Sequence, residues 1–575
     1  MVTDGKAALN KIDVHMILRP ACRISRLLLL IFAASLFVTR VAAAEECGIA
    51  SAHPLASRAG CEILHFGGNA FDAAVAVAAA LAVVEPFASG LGGGGFLLLH
   101  RQADGFEVFV DARETAPGKA TAAFYLGKDG KPRDKLSLEG PAAAGIPGTP
   151  AALDWVATRY GRLPLSRSLA PAIRLAAEGF AADARYAAAT ASREAALRID
   201  GHAARIFLDR GKAVAAGYLV RQPQLALTLR RISEQGRKAF YGGESARNMV
   251  EAVRAAGGIW ELPDLENYKV IEREPMRFSY RGARITTAPL PSSGGLVLAQ
   301  SLFILESLDL PSLEQVDRVH YVVEALRRGY HDRARYMGDP EFVKVPAKLA
   351  TREYALRRGA SIKADKATPS HELNKAAAGS EGEDTTHFSV IDAQGNRVAA
   401  TLSVNGPFGS AFVAGDSGVL LNNHMDDFSL APGDANLYGL QGNEANAVSP
   451  GKRPLSSMSP TFVEDGRGIL VLGSPGGSRI ISMVLLGILD YVDQPGPDPG
   501  RMVGASRYHH QYLPDRIQIE PEGFAEDWIA TLKAKGHAVE VGRRRWGNMQ
   551  VVYYDKKARS ITIASDPRGQ AGVLF

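Results

Sequence analysis

The residues with the clearest chemical promise lie at a junction, Glu383-Asp-Thr-Thr-His-Phe-Ser-Val390, where a polar, aperiodic stretch (366–384) runs straight into a β-like segment that starts with threonine. A cut before Thr385 would give that residue an α-amine whose ordinary pKa, about 7.7 to 8.0, suits a base near neutral pH. The amine would reach its own hydroxyl, so a weak nucleophile would carry its base with it and need no histidine. Taken alone, Thr385 and Thr386 read more simply as β-formers at a strand start. Register adds a second hint. The turn Asp392-Ala-Gln-Gly-Asn396 is centred near residue 394, so an antiparallel hairpin around it sets Ser403 opposite Thr385 and Asn405 just beyond.

Other motifs fail on context. The run Gly90-Leu-Gly-Gly-Gly-Gly95 satisfies G-x-G-x-x-G, but a dinucleotide fingerprint follows a strand and opens a helix. Here an Ala-rich helical run and Pro86 precede it, and a strand-like Phe96-Leu-Leu-Leu99 follows. His509 and His510 lack the spacing of a zinc protease and read as one buried and one exposed histidine, so no metal is assigned. Gly473-Ser-Pro-Gly-Gly-Ser478 is not a G-x-S-x-G elbow, which leaves a Ser-His-Asp hydrolase without an anchor. No cofactor is implied.

The elements that must position Thr385 follow from periodicity. Amphipathic spacing predicts a helix over 55–66, closed by Gly67, Gly68 and Asn69, and a second, Ala-rich helix over 70–84 stopped by Pro86. Strands are predicted over 96–100 and 106–110, helices through 150–257, strands near 280–289, and helical periodicity through 296–336. The stretch 366–384 is the one strong linker candidate. Beyond it the pattern predicts short strands over 385–391, 398–404, 418–421, 468–472, 550–554 and 560–564. Helices and antiparallel-looking strands in mixed order give an α+β fold, with both sides of the junction sharing one sheet.

Composition narrows the setting. Of the formal charge of +5, the first 44 residues supply Lys6, Lys11, Arg19, Arg23, Arg26 and Arg40 against Asp4 and Asp13, which leaves about +1 for the rest. A near-neutral chain without a basic run offers nothing to nucleic acid. Basic residues through Arg26, an apolar stretch over 27–38 and Ala42, Ala43 and Ala44 read as a secretory leader over 1–44, with Met16 as a second possible start. The apolar stretch is short for a membrane span, so the expected product is periplasmic or secreted, with no stable membrane anchor. Cys47 and Cys61 would then pair in an oxidising compartment or stand as two buried thiols.

These residues resemble the gamma-glutamyltranspeptidases of the N-terminal-nucleophile hydrolase superfamily. The likeness runs from Gly67-Gly-Asn-Ala-Phe-Asp-Ala-Ala74 to Ala564-Ser-Asp-Pro-Arg568. It is densest in Asp111-Ala-Arg-Glu-Thr-Ala-Pro117, Pro291-Ser-Ser-Gly-Gly295, Thr385-Thr-His-Phe-Ser389, Leu421-Asn-Asn-His-Met-Asp-Asp-Phe-Ser429, Arg453-Pro-Leu-Ser-Ser-Met-Ser-Pro460 and Gly473-Ser-Pro-Gly-Gly-Ser-Arg479. The resemblance implies an αββα sandwich and a precursor that cuts itself before Thr385. The products would be a large part (45–384) and a small catalytic part (385–575), joined as a heterodimer. Thr385 would be the nucleophile, with Ser403 facing it where threonine is usual. Gly476 and Gly477 would form the oxyanion hole, and Arg113, Ser456 and Ser457 would hold the donor's α-carboxylate. Asn405 and Asp427 would receive its α-ammonium, while Asp426 would be structural. Tyr438 would belong to a lid over 432–442.

His424 departs from the pattern, standing where glutamine or glutamate is general beside the α-ammonium. Without the resemblance, Arg113 would read as a surface ion pair with Glu114, and the two serines as a turn before Pro460. The activity implied is hydrolysis of glutathione and other gamma-glutamyl compounds, with transfer to water, amino acids or peptides. The alternative is a glutaryl-type, cephalosporin-like acylase of the same superfamily. Asp427 speaks against that alternative and His424 mildly for it.

Overall fold

The computed structural model describes residues 47–373, 385–431, 433 and 435–570. The leader over 1–44, the second half of the linker with Asp384, and Pro432 and Asp434 of the expected lid lie outside the described residues. Two six-stranded antiparallel sheets form the centre. The first runs Gly48–Ser51, Thr386–Ile391, Arg397–Ser403, Gly94–Arg101, Phe106–Ala112 and Ile271–Arg273, each strand bonded to the next. The second runs Ser560–Ser565, Gln550–Asp555, Gly468–Gly473, Thr461–Glu464, Ala283–Thr287 and Met276–Tyr280. Both sides of the junction thus contribute to each sheet.

The first sheet is buried on both faces, and its side chains sort by alternation. Leu97, Leu99, Val108 and Val110 pack against an outer helical layer, whereas Phe96, Leu98 and Phe109 join the core of the second sheet. The helices Gly294–Leu305, Gln315–Tyr336 and Ile480–Asp493 close the far side, completing four layers, αββα. In the outer layer the helix Ala70–Val84 is buried at every residue. Alanines let it lie close to its neighbours, and a capping box starts it. Asn69 Oδ1 accepts from the amides of Phe71 and Asp72, and Asp72 Oδ2 accepts from the amide of Asn69. A cap of this kind contributes on the order of 1 kcal/mol.

Most predicted elements appear within a few residues of their expected bounds. Three corrections stand out. The segment 418–421 forms only isolated bridges, Val413 with Leu420 and Gly92 with Leu421, because Gly418 takes a left-handed φ of +70° and breaks the pleat. The helix Ile480–Asp493 was not foreseen, since a nearly all-apolar run carries no helical period to read. The strand Thr461–Glu464 was also missed, its four residues being too short to show alternation.

The start of the linker is tied down. Thr368 N donates to Glu324 Oε1 at 3.0 Å, and Ser370 N to Asp515 Oδ2 at 2.7 Å. Cys47 and Cys61 stand as half-buried thiols, and a hydrogen bond from Cys47, followed by burial, pushes the Cys61 thiol up. No helix among the described residues is long and apolar enough to cross a membrane.

Candidate active site

Thr385 immediately precedes the strand Thr386–Ile391, and the hairpin pairs Arg397 with Ile391 and Leu402 with Thr386. That is the register expected from the turn at residue 394, and it brings Thr385 Oγ1 to 3.3 Å from Ser403 Oγ. Thr385 is only 5% exposed. Its neighbours hold the hairpin from behind. Thr386 Oγ1 donates to Glu85 Oε2 at 3.0 Å, and His387 Nδ1 lies 2.9 Å from Thr401 Oγ1. Burial depresses the His387 imidazole to about 3, so it is a neutral packing group.

Asn405, with a left-handed φ of +79°, turns the chain away after Ser403. Its amide donates to Ser403 Oγ at 2.8 Å, and its Nδ2 to the carbonyl of Asn423 at 3.0 Å. Tyr438 O–H donates to the Asn405 carbonyl at 3.0 Å, seating the segment around it over the pocket.

Gly476 and Gly477 lie just beyond the strand Gly468–Gly473 and open the turn that leads into the helix Ile480–Asp493. Their φ values are +132° and +55°, and a Cβ on Gly477 would stand 2.2 Å from the Tyr438 ring. Glycine is therefore required for both backbone shape and space. Amides at a helix N-terminus point outward with partial positive charge, suited to a developing oxyanion.

The opposite wall carries charge. Arg113 is 1% exposed, so the pair it makes with Glu114 at 3.2 Å is buried and not a surface pair. Its Nε donates to the Pro454 carbonyl at 3.2 Å, and its Nη2 makes a short contact with Asp427 Oδ2. Asp427 Oδ1 also accepts from Asn436 Nδ2 at 3.0 Å. Burial works against ionising Glu114, but His424 and Arg113 outweigh it and hold the carboxyl below its ordinary range. His424 Nδ1 is 2.9 Å from Glu114 Oε1. The ring lines the pocket and also abuts Glu114, which the sequence had offered only as a partner for Arg113. Asp426 is turned away from the pocket. Its carboxylate accepts from Ser137 O–H at 2.9 Å and from the Leu437 amide at 2.7 Å. Burial first, and then neighbouring Asp427, push it up to about 6.

Ser456 and Ser457 also line the pocket, held by a bridge between Ser292 and Ser456. Ser456 Oγ accepts from the Met458 amide at 3.1 Å, while Ser457 Oγ, buried, has no hydrogen-bond partner among the described residues. All eleven sequence-derived residues thus gather around one cleft, Gly476 adjoining it and the others facing it or each other. Two functional neighbours were missed. Glu114 was read only as a partner for Arg113. Arg333, which also lines the cleft, gave no signal, since a basic residue in the last turn of a helix is what the helix dipole favours anyway. His509 and His510 are both buried, correcting the expectation of one exposed ring. Ser482 and Gln511 bond the first, and Asp515 and the Tyr512 amide the second.

Two stacked antiparallel sheets between helices, with a threonine at the head of a central strand, define the class of N-terminal-nucleophile hydrolases. The gamma-glutamyltranspeptidase family profile matches residues 56–575. The chain is 42% identical over 531 residues to the glutathione hydrolase proenzyme of Escherichia coli, covering 91% of each. It is 37% identical over 513 residues to the acylase ACY 1 proenzyme of a Pseudomonas species, covering 88% of this chain and 89% of that one. Among solved structures, the cephalosporin acylase from Bacillus halodurans superposes with a TM-score of 0.80 at 28% identity, over 91% of this chain and 94% of that one. The chain belongs to the gamma-glutamyltranspeptidase family, and it is an enzyme.

Proposed function

We propose that this enzyme is a glutathione hydrolase and gamma-glutamyltransferase that matures by cutting itself before Thr385. The observation that carries the reading is the meeting of Thr385 Oγ1 with Ser403 Oγ at 3.3 Å in a cleft also lined by Gly477, Arg113 and Asp427. In the precursor the Thr385 hydroxyl adds to the Asp384 carbonyl, the acyl group shifts from nitrogen to oxygen, and water cleaves the resulting ester. Asp384 is left with a carboxylic acid and Thr385 with a free amine. The products, 45–384 and 385–575, remain together as a heterodimer. Relatives named as proenzymes support this maturation.

In turnover the Thr385 amine takes the hydroxyl proton as Oγ1 adds to the donor's γ-carbonyl. Negative charge grows on the carbonyl oxygen, where amides of Gly476 and Gly477 are worth about 3 kcal/mol each. Collapse breaks the C–N bond, the proton passes to the leaving nitrogen, and a γ-glutamyl ester of Thr385 remains. Water then releases glutamate, or the amine of an amino acid or peptide takes the acyl group. Arg113, Ser456 and Ser457 bind the donor's α-carboxylate, Asp427 and Asn405 bind its α-ammonium, and Tyr438 covers it. The leader over 1–44 directs the protein to the periplasm or outside the cell.

Intact mass combined with a gamma-glutamyl anilide assay tests the reading. The purified protein is expected as two fragments, the smaller starting at Thr385, and Thr385→Ala as one inactive chain, with a loss of at least about 10⁴-fold. Two fragments from purified Thr385→Ala would sink the mechanism. A second reading, a glutaryl-type acylase, is favoured by His424 and by the likeness to acylases. A parent that prefers glutaryl over gamma-glutamyl anilide would establish it instead.

A further inference from the structure

Arg333 is a buried cation, 5% exposed, at the wall of the same cleft. Its Nε donates to Ser293 Oγ at 3.0 Å, and among the described residues no carboxylate lies within ion-pair distance of it. Burying a guanidinium without an anion is unfavourable, and burial does push this one down to about 10. Arg113 differs in this respect. Its Nε, Nη1 and Nη2 already serve the Pro454 carbonyl, Glu114 and Asp427. Arg113 must surrender a carboxylate to bind another, and Arg333 need surrender none.

Ser293 ties Arg333 to the serine pair, since both its amide and its hydroxyl donate to the Ser456 carbonyl at 2.8 Å. Next to it, Ser457 Oγ is buried with no hydrogen-bond partner among the described residues. An unpaired guanidinium and an unpartnered hydroxyl at one end of a cleft are complementary to a carboxylate.

We infer that Arg333 is a second arginine of the donor site, binding the donor's α-carboxylate together with Ser457. Arg333 adds to Arg113 there, and the contact of Arg113 with Asp427 orients the latter's carboxylate toward the α-ammonium. This inference rests on the donor site proposed above.

The test uses the processed enzyme and three anilides: gamma-glutamyl, glutaryl, which lacks the ammonium, and 4-aminobutyryl, which lacks the carboxylate. In Arg333→Gln, kcat/KM for the first two is expected to fall at least about tenfold, mainly through KM, with 4-aminobutyryl unchanged within about threefold. Arg333→Lys should recover part of the loss. Ser293→Ala, a milder change that frees the guanidinium from its anchor, should give the same pattern at smaller size, and it decides the matter if the Arg333 variants do not mature. Equal losses on all three anilides, or none, would overturn the inference while leaving the function intact. A parent that does not prefer gamma-glutamyl over 4-aminobutyryl anilide would overturn the donor site itself.

Discussion

Around Thr385 the cleft is built from neutral groups fixed by regular structure: a hairpin register for Ser403, and a strand end meeting a helix start for Gly476 and Gly477. The facing wall is built from charges on turns, with Arg113 and Glu114 following one strand and His424 to Asp427 in a single 3₁₀ turn. The first region admits almost no variation, because backbone geometry does the positioning. The second region holds one buried network, Asp427, Arg113, Glu114 and His424, in which any member alters the others. Reactivity and selectivity are therefore separable, and substitutions should sort accordingly.

The largest separation is expected from Gly477→Ala. A Cβ there meets the Tyr438 ring and a φ of +55° that alanine resists, so kcat should fall by about 10² to 10³ for gamma-glutamyl and glutaryl anilides alike. A loss confined to one donor would dissolve the distinction between the two regions.

Arg113→Lys keeps charge but loses the fork that engages Glu114 and Asp427 together. It should lower kcat/KM for the gamma-glutamyl donor roughly 30-fold, about 2 kcal/mol, while self-cleavage, read on a denaturing gel, proceeds normally. Impaired cleavage would mean that the charged wall also shapes the nucleophile.

Replacing His424 sharpens the comparison further. Glutamate at this position would face Glu114 at close range, so the informative change is His424→Gln, which keeps an acceptor without adding a second carboxylate. It should raise the ratio of gamma-glutamyl to glutaryl turnover by about 3-fold to 10-fold. A ratio unchanged from the parent's would remove His424 from the selectivity argument.

A separate prediction concerns stability rather than turnover. Asp426 is pushed up to about 6 in the fold from 3.8, so the folded protein holds its proton more tightly than the unfolded chain. That contribution is complete below about pH 4 and is lost as pH rises through about 6, on the order of 3 kcal/mol in all. Asp426→Asn cannot ionise, so its urea midpoint relative to the parent's should climb between pH 4 and 6 and then level off. A constant difference would show that Asp426 is already ionised at pH 4.

The sequence carried the nucleophile's end of the site further than the charged wall, for a physical reason. Ser403 opposite Thr385 follows from one turn and a period of two, which are local properties. Arg113 and Asp427 are 314 residues apart, and Arg333 meets Ser293 across 40. Such contacts come from the stacking of layers, so Arg113 read as a surface residue without the family's pattern, and Arg333 did not register at all. The apolar helix Ile480–Asp493 escaped for the converse reason: burial on all sides erases the amphipathic period that makes helices legible.

The sheet order has a consequence for when the enzyme can become active. The hairpin of Thr386–Ile391 and Arg397–Ser403 is flanked on one edge by Gly48–Ser51 and on the other by Gly94–Arg101, both from the chain ahead of the junction. The hairpin alone brings Thr385 to Ser403, but Arg113, which follows Phe106–Ala112, joins them only once the ladder through Gly94–Arg101 has closed, which requires strands more than 280 residues apart in sequence to have found one another. Under the proposed self-cleavage, a cut that needs the whole cleft would be a checkpoint on folding: chains that misassemble would stay whole and inert, and those that pass would be held together by the ladders that licensed the cut.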